Sequence, residues 1–272
     1  MKVYVTLLIS IAFVLRVDSK ETNYTASTPA ASIVRSFLGI SQTDSIDFIR
    51  WKLVLTDIKY SLECNYGIGK PNTNDFYDGG KKVMLSGTVK RDNNTNTYLL
   101  YNGSHSLKLI ELNSNLLHIL NTNNTLLIGN GGWSYALNNM APSPSSHFKL
   151  TARQTSFKDS IAFVGRTPCG VPNVNKSDQC YKLKWYLVLY SNNSYRVLGT
   201  GYRVEGGKKG SWKINKGNDG RLTYQLYDEA GKPFLQLLKL DEGVLIFTDE
   251  KGNLLVGDHD FSYTLNLARP SL

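Results

Sequence analysis

Three cysteines are the residues of this 272-residue chain best suited to covalent chemistry. Cys169 and Cys180 flank a segment rich in Pro, Gly and Asn, and they lie too far apart for the C-x-x-C motif of a dithiol oxidoreductase. In an oxidising compartment this pair predicts a structural disulfide, which contributes roughly 2–3 kcal/mol by closing a short loop. Cys64 has no partner, so we expect either a free thiol or an intermolecular bridge.

The histidines and carboxylates form no recognisable catalytic pattern. H-E-x-x-H, G-x-S-x-G and phosphate-loop motifs are absent from the sequence, and it has only four His. Asp258-His259-Asp260 could supply metal ligands, and the alternative is a surface turn, because an internal repeat places Asn130-Gly131-Gly132 at the same point. We therefore predict no catalytic residue, no metal, no cofactor and no enzymatic activity.

Asn-x-Ser/Thr triplets are acceptors for N-linked glycans when a chain passes through a eukaryotic secretory pathway. Six such triplets begin at Asn23, Asn93, Asn102, Asn123, Asn175 and Asn192. Most of them lie in or beside predicted turns, where an attached sugar would point into solvent. The sequence therefore predicts a glycoprotein.

The N-terminus has the form of a secretory signal. Met1 and Lys2 precede an apolar run from Val3 to Leu15, which is shorter than a membrane-spanning helix requires. Small residues follow, and they predict cleavage after Ser19. No later segment is long and apolar enough to cross a membrane as a helix, so we expect a secreted, extracellular protein without a membrane span.

The chain is basic, with a formal net charge of +9. Lys182 and Lys184 share the outward face of a predicted strand. More cations follow on nearby strands and turns, at Arg203, Lys208, Lys209, Lys213 and Lys216. Such a face favours an acidic polysaccharide or matrix polymer as partner, and the alternative is an ordinary solvated surface. Nucleic acid is not expected, because the protein is extracellular and no base-stacking motif is evident.

An internal repeat organises the elements that carry these residues. Four segments recur along the chain: residues 50–55 match 184–189, 106–112 match 234–240, 126–129 match 254–257, and 134–138 match 262–266. The last three pairs share one spacing in sequence. We predict a signal peptide over 1–19, a flexible N-terminus over 20–31, unit one over 32–139, a Pro/Ser linker over 140–157, unit two over 158–267 and a tail over 268–272.

Each unit alternates apolar and polar residues with period two, which is typical of β-strands. Turn signals separate about eight or nine strands per unit, and eight strands close a small barrel. No stretch shows sustained helical periodicity, so we predict an all-β protein with two tandem small up-and-down antiparallel barrels of lipocalin-like form. Unit two contains Lys209-Gly210-Ser211-Trp212 without an evident partner in unit one, which instead has an apparent insertion over residues 62–80. We therefore allow for an incomplete first barrel.

Several segments of unit two resemble a group of exported proteins of unassigned function: residues 163–170, 180–185, 252–257 and 260–266. That group is similar in outline to the N-terminal barrel of a bacterial copper-resistance outer-membrane lipoprotein. The resemblance implies a lipocalin-like fold and no particular activity. The closely spaced cysteine pair and the lipid-bearing cysteine of the lipoprotein are both missing here.

Three functions compete at this point. The expected one is a secreted non-enzymatic glycoprotein, a structural or binding component of an extracellular or mineral matrix. The alternative is a carrier whose barrel holds a small apolar ligand, lined by Trp185, Trp212, Phe261 and Tyr263. An enzyme is the third, and it would require an inward-facing polar cluster that the sequence does not indicate.

Overall fold

The computed structural model of the chain describes residues 21–144, 157–174, 180–199 and 207–268. The signal peptide over 1–19, most of the predicted linker, Asn175 and Arg203 lie outside these residues. The described residues form two closed barrels of eight antiparallel strands each. The predicted fold class, two tandem up-and-down barrels, is therefore confirmed.

Barrel one contains strands β1 to β8 in chain order. Their bounds are Thr22–Thr28, Phe48–Leu55, Lys59–Gly67, Lys81–Asp92, Thr97–Asn102, His105–Asn113, Leu116–Ile119 and Ala136–Asn139. A short α-helix, α1 (Ser32–Leu38), connects β1 to β2, and a 3-10 turn (Tyr77–Gly79) precedes β4. Each strand pairs with the next one, and β1 also pairs with β8. The first barrel is therefore complete.

Barrel two contains strands β9 to β16 in the same arrangement. Their bounds are Ser160–Thr167, Leu183–Tyr190, Ser194–Gly199, Lys208–Lys216, Leu222–Asp228, Pro233–Lys239, Val244–Phe247 and Thr264–Leu267. Strand β16 returns to pair with β9 and closes the barrel. Alternation produces the core, as β10 illustrates: Leu183 and Trp185 are buried, whereas Lys184 and Tyr186 between and beside them are exposed.

The prediction of a flexible N-terminus was wrong. Thr22–Thr28 is strand β1, held by backbone pairing with β2 and β8. The seven-residue helix α1 is too short for sustained helical periodicity, and it buries Val34, Phe37 and Leu38 against the core of barrel one. The helix ends at Gly39, whose φ of 69° lies in the left-handed region that glycine adopts without strain.

The two barrels share an internal framework. Trp51 in barrel one donates its indole N–H to the Thr28 hydroxyl at 2.8 Å, and Trp185 donates to Thr167 at 2.9 Å in barrel two. All four residues are buried. The same tryptophan–threonine hydrogen bond therefore links the first two strands of each barrel.

A second shared feature is a glycine packed against a tyrosine ring, and it shows that Gly210 does have an equivalent residue in unit one. Gly87 in β4 and Gly210 in β12 each lie against a tyrosine ring, Tyr60 and Tyr195 respectively. A Cβ at either glycine would stand 2.8–2.9 Å from a ring carbon, closer than real contacts allow. The partner of Gly210 is thus Gly87. The apparent insertion over 62–80 is also shorter than expected, because β3 extends to Gly67.

Candidate functional sites

Five cations occupy outward positions on four consecutive strands of barrel two, β9 to β12, and we call this set the basic face. Its members are Arg166, Lys184, Arg196, Lys209 and Lys213. Lys184 lies opposite Arg166, and Arg196 lies opposite Lys209. The four strands contain no Asp or Glu. Neighbouring strands are about 4.8 Å apart, so the positive charges form closely spaced rows.

The electrostatics next to this face reflect crowded positive charge. Burial lowers the pKa of Lys182, and the nearby charges of Arg166 and Lys184 lower it further. Burial also lowers the pKa of Arg166, whose guanidinium lies 5.2 Å from the ring centroid of Trp133. Within the described part of the chain, no ion pair involves Arg166, Lys209 or Lys213.

The equivalent face of barrel one is electrically different. Strand pairing makes Ser27, Ser61 and Ser86 the counterparts of Arg166, Arg196 and Lys209. Strand β3 also contributes Glu63, whose carboxylate lies 3.8 Å from the Lys52 ammonium and 3.1 Å from that of Lys82. The lysines beside Glu63 lower the pKa of its carboxyl group. Barrel one therefore carries a carboxylate on a surface where the strands of barrel two carry none.

Apolar groups replace that ion pair on the basic face. The register that joins Lys52 to Glu63 in barrel one joins Tyr186 to Leu198 in barrel two. Tyr186 is 43% exposed, so its ring lies on the surface close to Lys184. The basic face thus contains an accessible aromatic ring among its cations.

The structure refines the set of cations chosen from sequence. Lys184, Lys209 and Lys213 are exposed on the outer face as expected. Lys208 is half-buried, with its ammonium 4.0 Å from the ring centroid of Phe234. Arg166 and Arg196 were missed, although each alternates with buried residues of its strand, and that alternation was the signal available.

The barrels meet through a pseudo-symmetric junction built from the repeated segments. The Asn138 side-chain carbonyl accepts a hydrogen bond from the Gly257 N–H at 2.9 Å, and that of Asn266 accepts one from the Gly129 N–H at 2.7 Å. At the centre of the junction, on the pseudo-two-fold axis that relates the two barrels, the Ser134 and Ser262 hydroxyls are 2.6 Å apart. The same residues thus face each other from the two sides, as in a two-fold symmetric dimer interface.

An open cleft of about 740 Å³ lies at one edge of this junction. Barrel one contributes residues of β1 and β2 and the loop segment 72–75, and barrel two contributes Tyr181, His259 and Asp260. The Asp260 carboxylate forms an ion pair with Arg50 at 3.2 Å. Asp258, the other aspartate of the segment that was weighed as a source of metal ligands, accepts the backbone N–H groups of Asp260 and Phe261. Among the described residues, no group of three metal-ligating side chains occurs.

The predicted disulfide between Cys169 and Cys180 is present, with the two Cα atoms 6.0 Å apart. It lies in the connection between β9 and β10, the position that α1 occupies in barrel one. Cys64 is unpaired and buried in the interior of barrel one, and burial raises the pKa of its thiol. No disulfide partner can reach this sulfur from outside while the barrel is folded.

The four aromatic residues predicted to line a ligand cavity are all buried. The ring centroids of Trp185 and Phe247 are 4.8 Å apart, and those of Trp212 and Tyr224 are 5.5 Å apart. Tyr263 also belongs to the core of barrel two, whereas Phe261 lies at the inter-barrel junction. A separate cleft of about 510 Å³ beside Phe234 contains none of the four. The predicted lining residues therefore contact protein side chains.

Of the predicted glycan acceptors, Asn23, Asn93, Asn123 and Asn192 are exposed. Asn102 is half-buried, and its side-chain amide donates to the Phe37 carbonyl at 2.7 Å. A glycan on Asn102 would have to share or displace that contact. Asn175 lies outside the described residues.

In the part of the chain that the structure describes, no helix has the length and apolarity needed to cross a membrane. The architecture is a tandem pair of closed up-and-down barrels. Comparison with protein-family models, with curated proteins and with solved structures finds no match to this chain. The resemblance to exported proteins stays a prediction.

Proposed function

We propose that this protein is a secreted, non-enzymatic glycoprotein that binds acidic polysaccharide through the basic face of barrel two. The observation that carries the proposal is the absence of carboxylates from strands β9 to β12, where Arg166, Arg196 and Lys209 replace serines of barrel one. Positive charge costs folding stability when it is crowded, so neighbouring strands that carry several cations and no carboxylate are suited to an anionic partner.

Secretion and glycosylation rest on the signal sequence and the acceptor triplets, together with the Cys169–Cys180 disulfide, which suits an oxidising compartment. A polysaccharide suits the face better than a simple anion does, because Tyr186 offers an exposed ring among the cations. We do not adopt the carrier alternative, because Trp185 and Trp212 are occupied by packing against core side chains.

The test is the salt dependence of binding to heparin, which is sulfated and also contains uronic acid residues. We expect saturable binding that weakens as NaCl rises, because counterions re-occupy the polymer. Replacing Arg196 and Lys209 together by Ser, the residue at the equivalent positions of barrel one, should lower the slope of log K against log salt by about two.

The matched control removes the same charge from barrel one, as Lys59→Ser with Lys90→Ser, both exposed positions. It should leave most of the binding intact. Equal weakening by both double variants would mean that net charge alone attracts the polymer. That outcome, or no binding of the wild-type protein at physiological salt, would overturn the proposal.

A further inference from the structure

The two edges of the inter-barrel junction are formed by equivalent positions of the internal repeat, but their structures differ. At one edge, Gly131 and Gly132 of barrel one approach β9 of barrel two. A Cβ at Gly131 would stand 2.9 Å from a methyl group of Val164, and Gly132 lies beside the Arg166 guanidinium. Glycines therefore allow the two barrels to touch, and we call this edge the closed junction.

At the other edge, the equivalent positions are His259 and Asp260, and the residue opposite them is Thr25 in place of Val164. The barrels there leave the cleft of about 740 Å³, which we call the open junction. Its volume lies within the range of small-molecule binding sites. Since the closed junction has Gly131 and Gly132 at the positions of His259 and Asp260, the fold does not require a charged turn there.

The walls of the open junction combine cations, a carboxylate and an aromatic ring. Arg50 hydrogen-bonds the Asn74 carbonyl and the Asp260 carboxylate, and the Lys52 side chain is 68% exposed. Tyr181 is 54% exposed, and its hydroxyl lies 3.5 Å from Asp260. The Nε of Arg50 and the amide nitrogen of Asn74 are buried and have no hydrogen-bond partner among the described residues. Such unpartnered donors favour a ligand or water that can accept from them.

We propose that the open junction binds one uronic acid residue, a pyranose that carries a carboxylate. The carboxylate would pair with Arg50 and Lys52, the ring hydroxyls would hydrogen-bond Asp260, and the apolar face of the ring would lie on Tyr181. The inference rests on the proposed function for its ligand class. Lys182 joins the two sites, because its ammonium lies 5.2 Å from the Tyr181 ring centroid and close to the charges of Arg166 and Lys184.

The experiment titrates the full mature chain with methyl glucuronide and, in parallel, with methyl glucoside, by calorimetry or saturation-transfer NMR. We expect saturable binding of the glucuronide and at least tenfold weaker binding of the glucoside. Arg50→Gln should weaken glucuronide binding by at least tenfold. Lys59→Gln, which removes an exposed charge of barrel one outside both sites, should leave it unchanged.

Because Arg50 also holds Asp260, Lys52→Gln serves as a second variant at an exposed side chain, and thermal melting checks the fold of all three. Absence of saturable glucuronide binding, or equal weakening by Lys59→Gln and Arg50→Gln, would overturn the inference. Heparin binding measured on the same samples separates the two proposals. Its persistence without glucuronide binding contradicts the open junction alone, and its loss with glucuronide binding intact contradicts the basic face alone.

Discussion

The two barrels share an internal framework and differ on their outer faces. Inside, the hydrogen bond of Trp51 to Thr28 recurs as that of Trp185 to Thr167. Outside, Glu63 neutralises lysines in barrel one, whereas Leu198 occupies its position in barrel two. Packing constrains interior positions closely, but an outward strand position tolerates almost any side chain. The difference between the barrels is therefore concentrated on the outer surface, where a binding partner could contact it.

The largest effect should come from the shared interior. Trp51→Ala and Trp185→Ala each remove a buried ring and leave a buried threonine hydroxyl without its donor, so we expect each to cost roughly 3–5 kcal/mol. The comparison predicts similar losses in the two barrels. Denaturant unfolding measures both, and a loss confined to one barrel would show that the shared framework is not equally important.

The next effect depends on pH and should be confined to barrel one. Burial lowers the pKa of His118 from 6.5 to about 4, and the equivalent residue in barrel two is Ile246. Between these pH values the unfolded chain binds more protons than the folded one. Stability should therefore fall by about 3 kcal/mol as pH decreases from 6.5 to 4.

The control for this prediction is His118→Ile, which installs the residue of barrel two. Its unfolding free energy should fall less than that of the wild type over the same pH range, the difference being the histidine contribution. Urea titrations at several pH values measure it. Parallel pH profiles for the two proteins would exclude His118 as the source.

A smaller effect should distinguish the two halves of the junction. Asn138→Ala and Asn266→Ala each leave a glycine N–H without its acceptor, at about 1–3 kcal/mol. Asn138 also donates to the Asp258 carbonyl at 3.2 Å, so its replacement should cost more. Calorimetry should show the two barrels unfolding in better-separated transitions in both variants. An unchanged melting profile would mean that these hydrogen bonds do not couple the barrels.

The smallest effect concerns the basic face itself. Arg196→Ser with Lys209→Ser should change the unfolding free energy by no more than about 0.5 kcal/mol, because both side chains lie on the outer surface. Thermal melting in 0.15 M salt is the measurement. A large destabilisation would assign these cations to folding and would weaken the argument that a partner needs them.

Much of this architecture could be predicted from sequence, because the segments that form the barrel interiors and the junction occur twice along the chain. The spacing shared by residues 126–138 and 254–266 comes from the segments that face each other across the pseudo-two-fold axis. Strand β1 was missed because its outward side chains are polar and its inward ones include Ala26 and Thr28. Its identity as a strand depends on pairing with β2 and β8, which are distant in sequence.

The sites were harder to predict than the barrels. The connection between β3 and β4 differs in length from the one between β11 and β12, which concealed the match of Gly87 with Gly210. Without that match, Ser86 and Lys209 could not be compared. The open junction depends on side chains from β1, β2 and barrel two that meet only in the folded chain, so no local pattern could indicate it.

The most direct test of the account transfers the basic face to barrel one, with Ser61→Arg, Glu63→Leu and Ser86→Lys. These changes give barrel one the side chains that barrel two has at Arg196, Leu198 and Lys209. They also remove the carboxylate that pairs with both Lys52 and Lys82. Heparin titration of this variant should reveal a second binding site of similar salt dependence, so that the stoichiometry rises from one site per chain towards two. A stoichiometry and affinity unchanged from the wild type, in a variant that melts normally, would contradict the claim that these outward residues determine binding.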